Sequence, residues 1–380
     1  MGKKWFVFIV FASTISASGC RKEKENIYPE GDKTEIFLTP ITGPGQSVLL
    51  ILNESGDTVM YKNTGTQVTD FKRCKINGKT YYSYFSQNKD FYAIPLVPSS
   101  AGYRIITDSN LNELHKLTLI SHEGINAASQ PGLENHDFLM LAENHFITLA
   151  YYEKTVTNIP ADLNPAPGIK VATPVIQEVL NGKVVWQWVG SDYPELYETS
   201  IESNDYGDNT KAADYLHVNS MWTDARDGNL IISCRNSNQV IKLNRHGKGI
   251  VWQLGGINSD FEIPGGMQFL RQHNASLVNE GRTLMLLDNG DINERNYSRI
   301  VEFDLDETAR KILAARSYNI PGDLVRFGGS VQKFGERYFV GGGSGGFIME
   351  FNPKTGIKTF EKDLGLGSYR AFKYTSSLQP

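Results

Sequence analysis

Residues 216–256, LHVNSMWTDARDGNLIISCRNSNQVIKLNRHGKGIVWQLGG, read as four short strands at 217–222, 229–234, 240–244 and 250–254. Asp227-Gly228, the polar run 236–238 and the glycines Gly247 and Gly249 interrupt them, as turn residues do between strands. Four antiparallel strands joined by tight turns make one blade of a β-propeller.

The unit recurs. Leu216-His217-Val218-Asn219 is echoed by Gln272-His273-Asn274-Ala275 and by Asn135-His136-Asp137-Phe138, and Gly329-Ser330-Val331-Gln332 carries serine in the histidine's place. The outer half repeats too: IQEVLNGKVVW at 176–186 matches IKLNRHGKGIVW at 241–252. Val301-Glu302-Phe303-Asp304 and Met349-Glu350-Phe351-Asn352 are further copies, with weaker ones at 50–57 and 105–110. Self-similarity at roughly 50–60 residues marks a propeller or another repeat array. Six outer copies predict an all-β, six-bladed β-propeller of four-stranded blades. SYRAFKY at 368–374 reads as the start of a blade that runs out of chain. N-terminal strands are therefore expected to complete it, closing the ring and removing its exposed edges. Strand-like runs in the less regular first part lie at 35–38, 47–53, 58–61, 80–84, 91–95 and 103–107. The spacings between His136, His217, His273 and Ser330 are 81 (217 − 136), 56 (273 − 217) and 57 (330 − 273). The long first spacing implies insertions at 155–172 and 190–214, which in such rings fall on one face and shape a binding mouth.

With 380 residues and a net charge of −4, the chain has no basic footprint for nucleic acid. Lys3 and Lys4 followed by the apolar stretch 5–12 and small residues up to Cys20 read as an export leader, 1–19, whose apolar run is too short to span a bilayer. The Ser18-Gly19-Cys20 ending resembles a bacterial lipoprotein signal, with lipid expected on Cys20. Residues 20–33 then form a solvated tether and 34–380 the propeller domain. The expected location is exported and lipid-anchored, on the periplasmic or cell-surface side, with the lipid the one membrane contact. A plain secretory leader is the alternative. Cys74 and Cys234 are read as free thiols, and no cysteine–histidine cluster suggests a metal.

Innermost strands of a propeller all run the same way along its axis, so their first residues gather at one end of the channel. His136, His217 and His273, three of the seven histidines, are expected to face one another there, joined by Ser330. In antiparallel pairing the end of a second strand lies beside the start of the first. That brings Arg235 to His217, and Asp288 and Asn289 to His273. Three imidazoles, a guanidinium and the amides of Asn219 and Asn274 suit a compact anion.

These residues carry a family likeness. LHVNSMW, the Ser233-Cys234-Arg235 strand end, IVWQLGG, QHNASLV, LLDNG and Tyr297-Ser298-Arg299, in this order and spacing, resemble the PAPS-independent aryl-sulfate sulfotransferases, most clearly over 135–299. The resemblance implies a six-bladed propeller that moves sulfuryl from a phenolic sulfate ester to a phenol, with no cofactor. It implies His273 as nucleophile, His217 and Arg235 as the sulfate-binding pair, His136 as a third histidine, and Ser330 at a hydroxyl position. Asn219, Asn274 and Arg299 are the further substrate-binding candidates. A ping-pong route through a sulfohistidine fits, because a neutral imidazole is a competent nucleophile near neutral pH. Sulfuryl transfer resembles phosphoryl transfer in needing placed positive charge more than a strong base.

Other readings of the same residues stay open at this stage. His145 stands close enough to replace His136 if the register slips by a few residues, and Arg299 could be a strand-start salt-bridge partner. Trp186, Trp188 and Trp252 read as inter-blade packing, and the run 341–346, GGGSGG, as a packed turn. The rival to an enzyme is a non-catalytic propeller that binds an anionic ligand or a protein at the same mouth, and hydrolysis is the rival to transfer.

Overall fold

A computed structural model describes residues 33–41, 47–322 and 324–375. The leader at 1–19, Cys20 and the tether up to residue 32 lie outside the described residues.

Six sheets form the ring, each built on four antiparallel strands, with the two-residue strands Leu133–Glu134 and Ala212–Ala213 added to two of them. Blade 1 pairs Ser368–Tyr374 with Glu35–Pro40, Val48–Leu52 and Thr58–Asn63, so the chain's last strand is innermost and its first strands complete the sheet. Phe37 faces Phe372 in that closure. Blade 2 is Val68–Ile76, Lys79–Gln87, Ala101–Asp108 and Glu113–Leu117. Blade 3 is Phe138–Ala142, His145–Thr155, Lys170–Leu180 and Lys183–Val189. Blade 4 is Val218–Thr223, Leu230–Cys234, Gln239–Leu243 and Ile250–Gly255, the four strands read from the opening stretch. Blade 5 is His273–Val278, Thr283–Asp288, Arg299–Asp306 and Lys311–Asn319. Blade 6 is Ser330–Phe334, Arg337–Gly341, Phe347–Phe351 and Lys358–Asp363.

Two expectations need correction. The run 91–95 is a loop: Pro95 removes a ladder donor, and Ile94 and Val97 instead pack on Tyr151 and Ala172 of blade 3. The innermost strand of blade 2, VTDFKRCKI, was not among the expected runs. Charges at Asp70, Lys72 and Arg73 break its apolar alternation, and they are there because this strand carries ions to the axis. The expected insertion 155–172 is there as a connection at 156–169, between blade 3's two central strands of eleven residues each.

Apolar faces pack blade against blade. Trp188 lies among Leu216, Val218 and Ile241 of blade 4, and Trp252 among Leu284, Leu286 and Phe303 of blade 5, as inter-blade packing requires. At the axis, side chains clip neighbouring inner strands together. Thr69 Oγ1 donates to the Asn135 carbonyl at 2.8 Å, and Asp137 Oδ2 accepts from the Met221 amide at 2.8 Å. Ser220 Oγ accepts from the Ala275 amide at 3.0 Å, and Asn274 Oδ1 from the Val331 amide at 2.8 Å. Ser330 Oγ donates to the Ala371 carbonyl at 2.6 Å, and Arg370 pairs with Asp70 at 3.3 Å, which completes the circle. The glycine run is a packed turn: at Gly343, with φ of 51°, an added Cβ would lie 2.5 Å from the Phe327 carbonyl oxygen.

Candidate functional site

The ring delivers the three histidines to one end of the axis. The imidazoles of His136 and His217 lie edge to face with centroids 4.9 Å apart. The Tyr369 ring stands 5.4 Å from His136 and 6.4 Å from His273, so it links the three. All three histidines are buried. His145 is elsewhere: its Nε2 pairs with Glu178, which also holds Arg245, at the far end of the sheet. The alternative to His136 is thereby removed.

Local pairing explains each position. Val218 faces Cys234 in blade 4, so the next residue, Arg235, donates its amide to the His217 carbonyl at 3.0 Å. His273 faces Leu287 in blade 5, which sets Asn289 beside the ring. His217 has φ of 51°, a left-handed conformation that costs a non-glycine residue about 1–3 kcal/mol and that surrounding contacts must hold in place.

Each imidazole has its Nδ1 partnered, but by different chemistry. His217 Nδ1 meets Asp214 Oδ2 at 2.6 Å, and His136 Nδ1 is paired with Glu134 Oε2. His273 Nδ1 donates to the amide oxygen of Asn289 at 2.9 Å, and its Nε2 accepts from the Gly328 amide at 3.3 Å. Burial first, then the positive charges of Arg235 and Arg370 and the neighbouring His136, hold the His273 imidazole well below the ordinary histidine range, against the opposing hydrogen bond to Asn289. His273 is thus a neutral ring whose Nε2 carries the lone pair, met by the Gly328 amide. The other two rings have a carboxylate rather than an amide at Nδ1.

Arg235 is 14% exposed and paired with Glu202 at 3.1 Å. Glu202, from the insertion at 190–214, also meets Arg271 at 3.2 Å, and Arg271 reaches Asp291 at 2.9 Å. Asn219 donates to the Gln272 carbonyl at 2.8 Å, while its buried Oδ1 has no partner among the described residues. Asn274 and Ser330 lie at the axis but are engaged as inter-strand clips. Arg299 is spent on Asp288 at 2.7 Å and on the carbonyls of Gly266 and Gln268, bracing a loop outside the histidine cluster.

The cluster has members that sequence reasoning passed over. Tyr369 and Arg370 stand at the histidine position of blade 1. Arg370 donates to the Asn219 carbonyl at 2.6 Å and pairs with Asp137 at 3.1 Å. The expected blade start at 368–374 held the signal, since the same register carried one blade further points to these residues. Glu134, Asp214 and Glu202 lie in connections that repeat nowhere, and no sequence signal marks them.

Comparison with known proteins gives the family. The model of the Arylsulfotransferase (ASST) family matches residues 101–360, which is 260 of the 380 (360 − 101 + 1). The chain belongs to the arylsulfotransferase family. Membership carries arylsulfotransferase activity in general, with an aryl sulfate as donor and a phenol as acceptor. No curated protein matches the chain. Among solved structures, a Bacteroides caccae protein of unknown function has a TM-score of 0.52 at 10% identity, over 90% of this chain and 98% of that one. Apo AztD from Citrobacter koseri has a TM-score of 0.44 at 8% identity, over 90% and 98% of the two chains. A putative 6-phosphogluconolactonase from Bacteroides uniformis has 0.44 at 10%, over 90% and 99%. At these identities only the fold of the first is informative for an arylsulfotransferase-family chain.

Proposed function

We propose that this protein transfers a sulfuryl group from a phenolic sulfate ester to a phenol in two steps, through a covalent intermediate on His273. The observation that carries the reading is the division among the three imidazoles: one with an amide partner, buried and neutral, and two with carboxylate partners. In the first step His273 Nε2 attacks sulfur, the N–S bond forms and the S–O bond to the aryl group breaks. The departing phenolate takes a proton from Nε2 of His217 or His136. In the second step the acceptor phenol gives its proton to that same histidine as its oxygen attacks sulfur and the N–S bond breaks. Arg235 meets the negative charge on the sulfuryl oxygens, and Arg370 supplies a second positive charge beneath them. Asp214 and Glu134 hold Nδ1–H of their rings, so that Nε2 of each exchanges the proton.

The test uses a chromogenic aryl sulfate with and without added phenol, on the parent chain and on His273→Ala. Phenol-dependent release that falls at least a hundredfold in the variant is expected, since covalent and electrostatic catalysis are lost together. A sulfated peptide containing His273 should be trapped in the absence of acceptor. Release independent of phenol would replace transfer by hydrolysis. No release across a panel of donors would leave a binding module. In the same reading the chain is exported and held at a membrane through lipid on Cys20. Cys20→Ser that still fractionates with membranes would overturn that part.

A further inference from the structure

The opposite end of the axial channel is a separate cavity of about 520 Å³. All six blades line it, with residues from the C-terminal parts of their innermost strands, such as Lys75, Met140, Trp222, Val278, Lys333 and Tyr374. Between this cavity and the histidines lies a layer of buried ions. Lys72 pairs with Asp70 at 3.0 Å and with Asp137, Arg104 pairs with Asp70 at 2.9 Å, and Arg370 reaches both acids. The layer counts three cations (Lys72, Arg104, Arg370) against two acids (Asp70, Asp137), all with side chains at most 13% exposed.

Above that layer the positive excess grows. Arg73 is matched by Glu35 at 3.0 Å and Lys333 by Glu302 at 2.6 Å, but Lys75 has no ion partner among the described residues. Among the described residues, the cations of the cavity and the ion layer (Lys72, Arg73, Lys75, Arg104, Lys333, Arg370) number six against four paired acids (Asp70, Asp137, Glu35, Glu302), a surplus of two in a chain whose net charge is −4. Arg370 is 2% exposed, lines the cavity, and has an Nε with no hydrogen-bond partner among the described residues. The walls are the reverse in character. Leu139, Met140, Trp222 and Val278 remain only half-buried there, although each would gain about 25 cal/mol per Å² of apolar surface covered. An apolar-walled hollow of this size with a few convergent polar groups has the form of a small-molecule site.

We propose that this end of the channel binds an amphiphilic organic anion. Its negative head sits toward Lys72 and Arg370, and its apolar body lies along Trp222, Met140 and Val278, with Lys75 at the rim. The hollow lies on the other side of the ion layer from the histidines and shares only Arg370 with the sulfuryl-transfer site; the proposal does not depend on that assignment.

The test is fluorescence titration of the full chain with 8-anilinonaphthalene-1-sulfonate, with the uncharged N-phenyl-1-naphthylamine as comparison probe. Saturable binding of one sulfonate per chain is expected, at least tenfold tighter than the uncharged probe. Lys75→Glu, on the half-buried rim, should weaken it about fivefold and leave sulfuryl transfer unchanged. Val278→Trp, which fills the hollow, should weaken it more than tenfold. His273→Ala and Arg235→Ala should leave it as it is. Equal affinity in the parent and Lys75→Glu, loss in His273→Ala, or no saturable binding would each overturn the proposal. Because Lys75→Glu removes no buried contact, the test stands even if Val278→Trp does not fold.

Discussion

The two ends of the channel are made by the same six strands, yet they differ in how their polar groups are used. At the histidine end, Nδ1 of each imidazole is held, and an acid or amide stands behind each ring. At the other end, apolar walls stay half-covered and positive charge exceeds negative. The difference follows from what lies behind the axis. The histidine end is backed by the long connections between blades, which supply Asp214, Glu134, Glu202 and the Gly328 amide. Among the described residues, the other end is backed by tight hairpins in five of the six blades. Positions come from the ring, and chemistry comes from the loops on one face.

If that division holds, a charge lost at the histidine end should cost far more turnover than one lost at the other. Arg235→Ala is expected to lower kcat/KM for an aryl sulfate by about 10²–10³-fold, the range for removing one preorganised donor to a developing anion. Lys75→Glu should leave it within twofold. Comparable losses in the two variants would erase the contrast.

The carboxylate partners come next. Asp214→Asn keeps the shape but replaces the acceptor that meets His217 Nδ1 at 2.6 Å. We expect kcat to fall on the order of tenfold to a hundredfold, with the larger deficit for donors with poor leaving groups, because the proton matters most for them. A uniform loss across donors would instead mean that Asp214 only holds the ring in place.

How much of this was legible in the sequence differs between the ends in the same way. His136, His217, His273 and Arg235 could be placed because axial register repeats from blade to blade and one strand pairing adds its neighbour. The closing of blade 1 was readable from SYRAFKY, though its Tyr369 and Arg370 went unused because no histidine marked them. Asn274 and Ser330 looked like ligands for the same reason that the histidines did. The ring also needs hydrogen bonds between neighbouring inner strands, and those two residues are engaged in them. Asp214 and Glu202 lie in a connection unique to one blade, where periodicity is silent. The inner strand 68–76 was hidden because it brings the ion layer with it.

The amide behind His273 gives a pH test. Its imidazole is neutral in the fold and titrates well below 6.5, burial being the main cause. The unfolded chain takes up that proton near pH ~6.5 and the folded chain does not. The contribution of this group is therefore fully present above ~6.5 and falls away as pH drops toward the folded value. Asn289→Asp puts a negative charge on Nδ1–H, which favours the imidazolium. The acid limb of kcat/KM should move to higher pH by about one unit or more, and activity near pH 6 should fall more than activity near pH 8. An unmoved limb would assign it to another group and remove the distinction between His273 and its neighbours.

The smallest effect concerns Glu202, where the histidine end meets solvent. Its carboxylate, 34% exposed, sits on Arg235 at 3.1 Å and on Arg271 at 3.2 Å, so before substrate binds it occupies the positive field that a sulfate ester needs. An exposed pair of this kind is worth about 0.2–1 kcal/mol. Removing the competition should therefore lower the donor KM by up to about fivefold in Glu202→Gln, with kcat unchanged and a weaker dependence of KM on salt. A carboxylate that positions Arg235 rather than competing for it predicts the reverse, a higher KM and a lower kcat in the same variant. The two senses of the change separate a loop that screens the site from one that helps to build it.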